Sequence, residues 1–241
     1  INYHNTHTEL NNELYEKKIY VNLEGNIQVT FMGIIDKLKY KKLDDGRNVV
    51  AIIDYKTGNP NLNLNNVIYG IEMQLPIYCY LAKNYEELDN IEIAGFYLQK
   101  ILNNEIIAKK ECTYDDLKRK NLLLQGYSNS NENILALFDD DYTDSTVIKS
   151  MKTTSKGFYA YSKVLDSSTI DKLVQLTEEK IKEAADNILK AKFDINPKRV
   201  GTNNVGCEFC TFHDICYHTE GDVVSLKEYK NLEFLGGEDH A

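Results

Sequence analysis

The sequence contains no run of 18 apolar residues, and its first 20 residues have no apolar segment like that of a secretory signal. We therefore expect no transmembrane helix and a cytoplasmic protein. Proline is scarce, with three residues, which excludes collagen-like and proline-rich chains. The chain starts with Ile rather than Met, so we expect the 241 residues to be a fragment of a larger protein or a processed product.

An excess of positive charge is also missing. Lys and Arg number 28 against 37 Asp and Glu, which gives a formal net charge of −9. This balance excludes a general coat for nucleic acid, so any contact with DNA or RNA must use a local basic patch. Hydrophobic residues make up 42% of the chain, which is too many for a disordered protein. The length fits one large domain or two small ones.

Cysteine is present in an odd number, five, and three of the five lie within ten residues. Cys207, Cys210 and Cys216 follow the spacing C-x₂-C-x₅-C, which indicates a metal or cluster site rather than disulfides in a chain without a secretory signal. Two completions are open. His213 or His218 would complete a Cys₃His zinc site, whereas a distant Cys would complete a [4Fe–4S] cluster.

Apolar spacing predicts an α/β chain. Residues 49–54 (VVAIID) form a continuous β-branched run of the kind found in strands buried on both faces. Asp45-Gly46 predicts the tip of a hairpin between residues 41 and 48. The other predicted elements are a helix at 6–17, two strands within 18–40 around a turn at 24–26, a helix at 67–84, strands at 91–100 and 105–110, a short helix at 113–124, a strand at 158–164, and a long helix at 167–193 capped by Ser167 or Ser168.

Three polar residues lie where strand propensity disfavours them. Asp54 ends the apolar run, Lys56 follows two residues later, and Asp36 lies in the preceding strand. Side chains two apart in a strand share a face, so Asp54 and Lys56 point the same way, and Asp36 would meet them across the hairpin. Two carboxylates beside a lysine are typical of a Mg²⁺ site where water attacks a phosphate. The alternative is that all three are ordinary polar residues at strand ends.

Three motifs occur in order along the chain: Gly33-Ile34-Ile35-Asp36, then Asp54-Tyr55-Lys56-Thr57-Gly58, then Gln74-Leu75-Pro76-Ile77-Tyr78. They resemble the G-x-x-D strand, the D-Y-K-[ST]-G strand end and the Q-x-x-x-Y helix of the PD-(D/E)xK nuclease superfamily, in its RecB-type branch. The match runs closely from Gly33 to about Ala82. The stretch YGIEMQLPIYCY is especially similar to the second subunit of AddAB-type helicase–nucleases.

The resemblance implies a restriction-endonuclease-like fold, in which a twisted mixed sheet is flanked by helices. By position, the groups that it assigns to the site are Mg²⁺ or Mn²⁺ ligands at Asp36, Asp54 and the Tyr55 carbonyl, a catalytic lysine at Lys56, and helix residues at Gln74 and Tyr78. The last two are four apart, so they share one helical face. Pro76 lies inside that helix and is expected to kink it.

The sequence departs from the branch at one motif. The usual G-x-x-D-R-x-D ends here as Asp36-Lys37-Leu38-Lys39, so Lys37 keeps a positive charge and Lys39 reverses a negative one. With Lys41 and Lys42, these lysines are predicted to form a basic patch that contacts phosphates, with a solvated hairpin edge as the alternative. The branch also tends to have an upstream His or Glu near the metal, for which the candidates are His4, His7, Glu13 and Glu16.

The cysteines divide the chain into a nuclease core at 1–196 and a Cys-rich tail at 197–241. In the pattern that the chain resembles, the fourth Cys of a [4Fe–4S] cluster precedes the nuclease core, and this sequence has none there. The resemblance therefore implies a cluster that this fragment holds poorly, and a tail that is mobile or rearranged after about residue 200. Cys79 and Cys112 are predicted to be small buried apolar side chains.

Together the motifs predict a metal-dependent deoxyribonuclease that hydrolyses phosphodiester bonds, as an exonuclease or endonuclease, in single-stranded or unwound DNA. The resemblance further implies the nuclease domain of a double-strand-break-processing helicase–nuclease, with an AddA-like subunit as partner. No G-x-x-x-x-G-K-[ST] segment occurs in the sequence, so the motor must lie elsewhere. The alternatives are a catalytically inactive DNA-holding module of the same fold and a zinc-binding interaction domain.

Overall fold

A computed structural model describes residues 7–23, 29–101, 113–208 and 210–236 of the chain. The strands are β1 (Asn12–Leu23), β2 (Val29–Lys42), β3 (Asn48–Lys56), β4 (Ile91–Lys100), β5 (Gln125–Asn129), β6 (Thr153–Thr154), β7 (Gly157–Phe158), β8 (Val164–Leu165), β9 (Lys198–Val200) and β10 (Val224–Leu226). The helices are α1 (Gln74–Lys83), α2 (Tyr114–Asn121), α3 (Glu132–Phe138), α4 (Ser167–Leu189) and α5 (His213–Cys216), with 3₁₀ helices at Leu64–Tyr69, Glu220–Asp222 and Glu233–Leu235.

Six strands form one mixed sheet in the order β1-β2-β3-β4-β5-β8. The pairs β1-β2, β2-β3 and β4-β5 are antiparallel, whereas β3-β4 and β5-β8 are parallel. Helices α1 and α4 pack on one face and α3 packs on the other. This mixed sheet flanked by helices confirms the predicted fold class. None of the helices in the described ranges has both the length and the apolar character needed to cross a membrane.

Strand β3 is the buried centre of the sheet. Val49, Val50, Ala51 and Ile52 are fully buried, and Ile53 is 3% exposed. Alternation sends Val50 and Ile52 into the core beneath α1 and α4, and the other three into the core beneath α3. The strand predicted at 49–54, with two buried faces, is therefore confirmed.

The hairpin between β2 and β3 is also confirmed. The Leu43 N–H donates to the Arg47 carbonyl at 2.8 Å, and the Gly46 N–H donates to the Leu43 carbonyl at 3.0 Å. Gly46 has φ of 87°, a left-handed conformation that costs glycine little. The turn fixes the β2-β3 register, which later sets Asp36 beside Asp54.

The prediction of a helix at 6–17 is wrong. From Asn12 the chain forms β1, which pairs with β2 through Glu13↔Lys39 and Tyr15↔Lys37. The segment is polar and has no apolar stripe that would hold a helix on the core, whereas pairing with β2 satisfies its backbone groups. The two strands predicted within 18–40 are present. Their turn at 24–26, and the strand predicted at 105–110, lie outside the described residues.

Helix α1 begins at Gln74, later than the predicted start at residue 67, because a separate 3₁₀ helix at Leu64–Tyr69 precedes it. Pro76 therefore lies in the first turn of α1. The missing N–H breaks no helical hydrogen bond there, so the kink expected from an interior proline does not arise. Gly33 lets α1 lie close to β2, since a Cβ at that position would be 2.3 Å from Leu81 Cδ1.

The helices predicted at 113–124 and 167–193 are confirmed as α2 and α4. The cap of α4 is Asp166 rather than Ser167 or Ser168, because its carboxylate accepts the Thr169 N–H at 2.9 Å. Helix α3 has no counterpart in the prediction. In the region of the strand predicted at 158–164, the chain forms only the two-residue strands β7 and β8.

The chain beyond residue 197 returns to the core. Strands β9 and β10 pair in parallel, and Leu232 and Leu235, at 4% and 8% exposed, belong to the core beneath α1 and α4. Lys172 Nζ on α4 donates to the Leu235 carbonyl at 3.2 Å, and the Leu232 N–H donates to Asn65 Oδ1 at 3.1 Å. The segment that follows the cysteines is thus anchored by side chains as well as by backbone.

Candidate active site

Asp54 and Lys56 end β3 on the sheet face that α1 covers. The β-strand alternation that buries Val50 and Ile52 beneath α1 carries on to Asp54 and Lys56. Asp54 is 1% exposed, and Lys56 Nζ lies 2.6 Å from its Oδ2. The predicted shared face of these two residues is therefore present.

Asp36 reaches the same place from β2. The β2-β3 register pairs Lys37 with Ile53 and Leu38 with Ile52, so the next position along sets Asp36 beside Asp54. The Asp36 carboxylate accepts the Tyr55 backbone N–H at 3.0 Å, which holds it at the end of β3. Two carboxylates from neighbouring strands thus converge, as the sequence predicts.

Gln74 joins the acidic and basic groups of the site. Its Nε2 donates to Asp54 Oδ1 at 2.7 Å, while its Oε1 accepts from Lys56 Nζ at 2.5 Å. The same Nε2 lies 3.2 Å from the Tyr78 hydroxyl, one helical turn along α1. A single amide therefore holds both the carboxylate and the ammonium group in place.

Burial has the largest effect on the pKa of Asp54 in the site. Burial raises the pKa of Asp54, and the neighbouring Asp36 adds to this, whereas Lys56 acts in the opposite direction. Burial also raises the pKa of Tyr78. A further positive charge close to Asp54 would therefore favour its charged form.

The donor set fits a hard divalent cation. Asp54 Oδ2 is buried without a hydrogen bond of good geometry, and its contact with Lys56 is an ion pair. The Asp36 carboxylate is the second oxygen donor on this face, and carboxylate oxygens are the ligands that Mg²⁺ and Mn²⁺ prefer. The Tyr55 carbonyl remains a predicted third donor.

The upstream candidates do not join this group in the described ranges. His7 Nδ1 lies 2.8 Å from Asp140 and 3.2 Å from Asp141, and Glu13 contacts lysines of β2. Glu16 is an exposed residue of β1. His4 lies outside the described residues.

The basic patch predicted at the hairpin is wrong for two of its four lysines. Lys37 and Lys39 are 6% and 2% exposed, and both ammonium groups lie 3.0 Å from Glu13 Oε1. Lys41 forms an ion pair with Glu9. Alternation along β2 puts Lys37 and Lys39 on the face opposite Asp36, a signal that the sequence already contained.

Among the side chains that the structure describes, the cysteine group does not form a mononuclear metal site. Cys207 Sγ lies 3.8 Å from His218 Nε2, and Cys210 is exposed. Among the residues that the structure describes, the only three His, Cys or carboxylate ligand atoms within 4.8 Å of one another are those of His7, Asp140 and Asp141. The Cys₃His zinc alternative therefore has no preformed site there.

Of the remaining cysteine and histidine predictions, only the one for Cys79 falls on a described side chain. Cys79 is fully buried in the core of α1, as predicted, and burial raises the pKa of its thiol. Cys112 and the side chain of His213 lie outside the described residues.

Comparison with known families agrees with the fold. The sequence profile of the PD-(D/E)XK nuclease superfamily matches residues 3–217 of the chain. The matched range contains the whole six-stranded sheet, the residues predicted for the nuclease site, and the three cysteines of the tail. The mixed sheet flanked by helices is that of a restriction-endonuclease-like fold.

Several curated bacterial proteins are similar to this chain, and each is named as a subunit of an ATP-dependent helicase/deoxyribonuclease. The protein of Oceanobacillus iheyensis is 29% identical over 202 residues, which cover 80% of this chain and 17% of the relative. That of Lachnoclostridium phytofermentans is 27% identical over 234 residues, covering 91% and 19%. That of Alkaliphilus oremlandii is 27% identical over 229 residues, covering 90% and 20%. The chain therefore spans about a fifth of the length of these relatives.

Proposed function

Because the chain belongs to the PD-(D/E)XK nuclease superfamily, we propose that it is a Mg²⁺- or Mn²⁺-dependent deoxyribonuclease, acting as exonuclease or endonuclease on single-stranded or unwound DNA. The observation that carries this proposal is the convergence of Asp36, Asp54 and Lys56 on one sheet face. Strand alternation puts Asp54 and Lys56 on one face of β3, and the β2-β3 register brings Asp36 beside them. Both carboxylates and the lysine are retained, which favours an enzyme over an inactive DNA-holding module.

Asp36 and Asp54 would hold the cation, which supplies charge neutralisation at a phosphate and a more acidic bound water. Lys56 is the group that orients the attacking water and offsets negative charge as the phosphate is attacked. Gln74 keeps Lys56 and Asp54 in register through its two hydrogen bonds. Helix α1 closes one side of the site and excludes water from the buried Asp54.

The test is cleavage of end-labelled single-stranded and duplex oligonucleotides with Mg²⁺ or Mn²⁺. Asp54→Asn should abolish cleavage and Mn²⁺ binding measured by electron paramagnetic resonance, while circular dichroism stays that of the wild type. Asp45→Asn is the matched control, because Asp45 is an exposed carboxylate at the hairpin tip. Full cleavage by folded Asp54→Asn would overturn the assignment. Wild-type chain that binds DNA but cleaves with neither metal would indicate the DNA-holding module.

We also propose the setting of this activity. The relatives are named as subunits of an ATP-dependent helicase/deoxyribonuclease, which supports a nuclease domain in a double-strand-break-processing complex with an AddA-like subunit. DNA as substrate supports a cytoplasmic location. Co-purification of the full-length subunit with an AddA-like partner, and its loss on deleting the matched region, tests this proposal.

A [4Fe–4S] cluster at Cys207, Cys210 and Cys216 is the proposed role of the cysteine group. Three thiols within ten residues, in a segment with few buried side chains, support it. Iron and sulfide analysis of anaerobically purified protein tests it, and we expect well below four iron atoms per chain. A stoichiometric cluster would show that a ligand within this chain completes the site.

A further inference from the structure

The carboxyl ends of β3 and β4 bring a second lysine beside the site. β3 and β4 are parallel, and their register pairs Lys56 with Lys100. Leu98 packs in the core beneath α1, so alternation places Lys100 on the same face as Asp54. Lys100 thus lies one strand away from Lys56, at the carboxyl ends of β3 and β4 where Asp54 and Lys56 lie.

Two further lysines continue the line across the next strand. β5 is antiparallel to β4, and its first residue, Gln125, pairs with Leu98 near that same edge. Lys149 Nζ donates to Gln125 Oε1 at 3.3 Å. Lys163 Nζ lies 5.3 Å from the centre of the Tyr127 ring, which packs in the core on the Asp54 face. We call Lys100, Lys149 and Lys163 the lysine row.

The three lysines of the row contact neutral groups. Lys100 and Lys163 donate to Asn59 Oδ1 at 2.7 Å and to the Leu62 carbonyl at 3.1 Å, both in the loop that follows β3. Together with Gln125, these acceptors are all neutral. Within the described part of the chain, no carboxylate lies within ion-pair distance of any member of the row, although acidic residues outnumber basic ones. Burial, and then the charge of Lys149, lower the pKa of Lys163, so these two cations repel each other.

From this placement we propose that the lysine row is the binding track for the phosphate backbone of a single DNA strand that enters or leaves the site across the ends of β3, β4 and β5. The inference rests on the proposed nuclease function and names the surface that holds its substrate. Phosphates would supply the negative charges that the row lacks, and neighbouring strands about 4.8 Å apart distribute the cations along a path rather than at a point. Contacts of this kind carry affinity without base preference.

The test is the salt dependence of binding to a fluorescent single-stranded oligo-dT in EDTA, where no cleavage occurs. Each phosphate contact contributes about 0.7 to the slope of log K against log salt, so the triple variant Lys100→Gln/Lys149→Gln/Lys163→Gln should lose about 2 from that slope. Between 50 mM and 200 mM salt, the wild type should lose roughly 20-fold more affinity than the variant. Replacing all three by Arg should restore the slope.

A matched control removes the same charge elsewhere. Lys180 and Lys182 lie on α4 and Lys190 caps its C-terminus. Each is paired with a carboxylate of that helix, so their triple Gln variant should keep the wild-type slope. An equal loss in both triple variants would reduce the effect to net charge and overturn the proposal.

Lys149→Gln alone tests the row without touching the loop after β3, and it should lower the slope by about 0.7. An unchanged slope in both this variant and the triple variant also overturns the proposal. If the wild type cleaves DNA and the triple variant binds and cleaves equally well, the lysine row does not bind the DNA strand. The proposed nuclease function is unaffected by that result. If the wild type binds DNA through the lysine row but does not cleave it with Mg²⁺ or Mn²⁺, the nuclease function is refuted. The DNA-binding role of the row is supported by that result.

Discussion

Replacing Glu13 with Gln removes a carboxylate that two nearly buried lysines share. Glu13 Oε1 lies 3.0 Å from both Lys37 Nζ and Lys39 Nζ, and the Tyr15 hydroxyl donates to Glu13 Oε2. The side chains of Lys37 and Lys39 are 7% and 3% exposed, so water replaces the lost contacts poorly. The cluster joins β1 to β2 on the face opposite Asp36, and the variant tests whether it stabilises the fold rather than the chemistry.

The magnitude follows from the carboxyl group itself. Burial alone would raise the pKa of Glu13, but hydrogen bonds from Tyr15, Lys39 and Lys37 outweigh it and lower the pKa from 4.5 to about 2. At ~1.4 kcal/mol per pKa unit, that difference corresponds to roughly 3 kcal/mol. The side chain is 23% exposed, and screening by water reduces the expected loss in Glu13→Gln to about 2–3 kcal/mol.

The pH dependence has a definite sign. A carboxyl group whose pKa is lowered by folding stabilises the protein fully above its unfolded pKa, near 4.5, and this stabilisation is lost as pH falls towards 2. Urea unfolding should therefore separate the wild type from Glu13→Gln at pH 7, and the difference should shrink below pH 4.5. Glu87→Gln is the control, because Glu87 is 69% exposed beside Lys17 and its replacement should leave the unfolding midpoint close to that of the wild type. A difference below about 0.5 kcal/mol for Glu13→Gln at pH 7 would refute the reasoning.

Two further outcomes are expected from urea unfolding. Asp54→Asn should be more stable than the wild type at pH 7 in EDTA, because burial and then Asp36 raise the pKa of Asp54 in the folded chain and disfavour its charged form. This gain should vanish as pH falls below the unfolded pKa of Asp, and a variant that is less stable at pH 7 would contradict it. Leu232→Ala should cost about 2–4 kcal/mol, because Leu232 is 4% exposed in the core beneath α1 and α4. The control Leu189→Ala, at a position 51% exposed, should stay within about 0.5 kcal/mol, and an equal loss in both would show that the segment beyond residue 197 is not anchored.

Local sequence was sufficient to predict β3 and which candidate residues share a face of β3 or of α1. The buried run at 49–54 predicts β3, and period-two alternation places Asp54 and Lys56 on one face. The four-residue spacing of Gln74 and Tyr78 places both on one side of α1. These predictions succeed because each depends on neighbours a few residues away, which the local backbone geometry fixes.

Long-range contacts decided which residues the sheet brings together. β1 is a strand because β2 offers it eleven register partners, although its polar sequence is compatible with a helix. Lys37 and Lys39 are buried because Glu13 faces them from another strand. The lysine row exists because β3 and β4 end beside the start of β5. In each case the deciding partner is distant in sequence, and strand pairing is a long-range choice that local propensity does not encode.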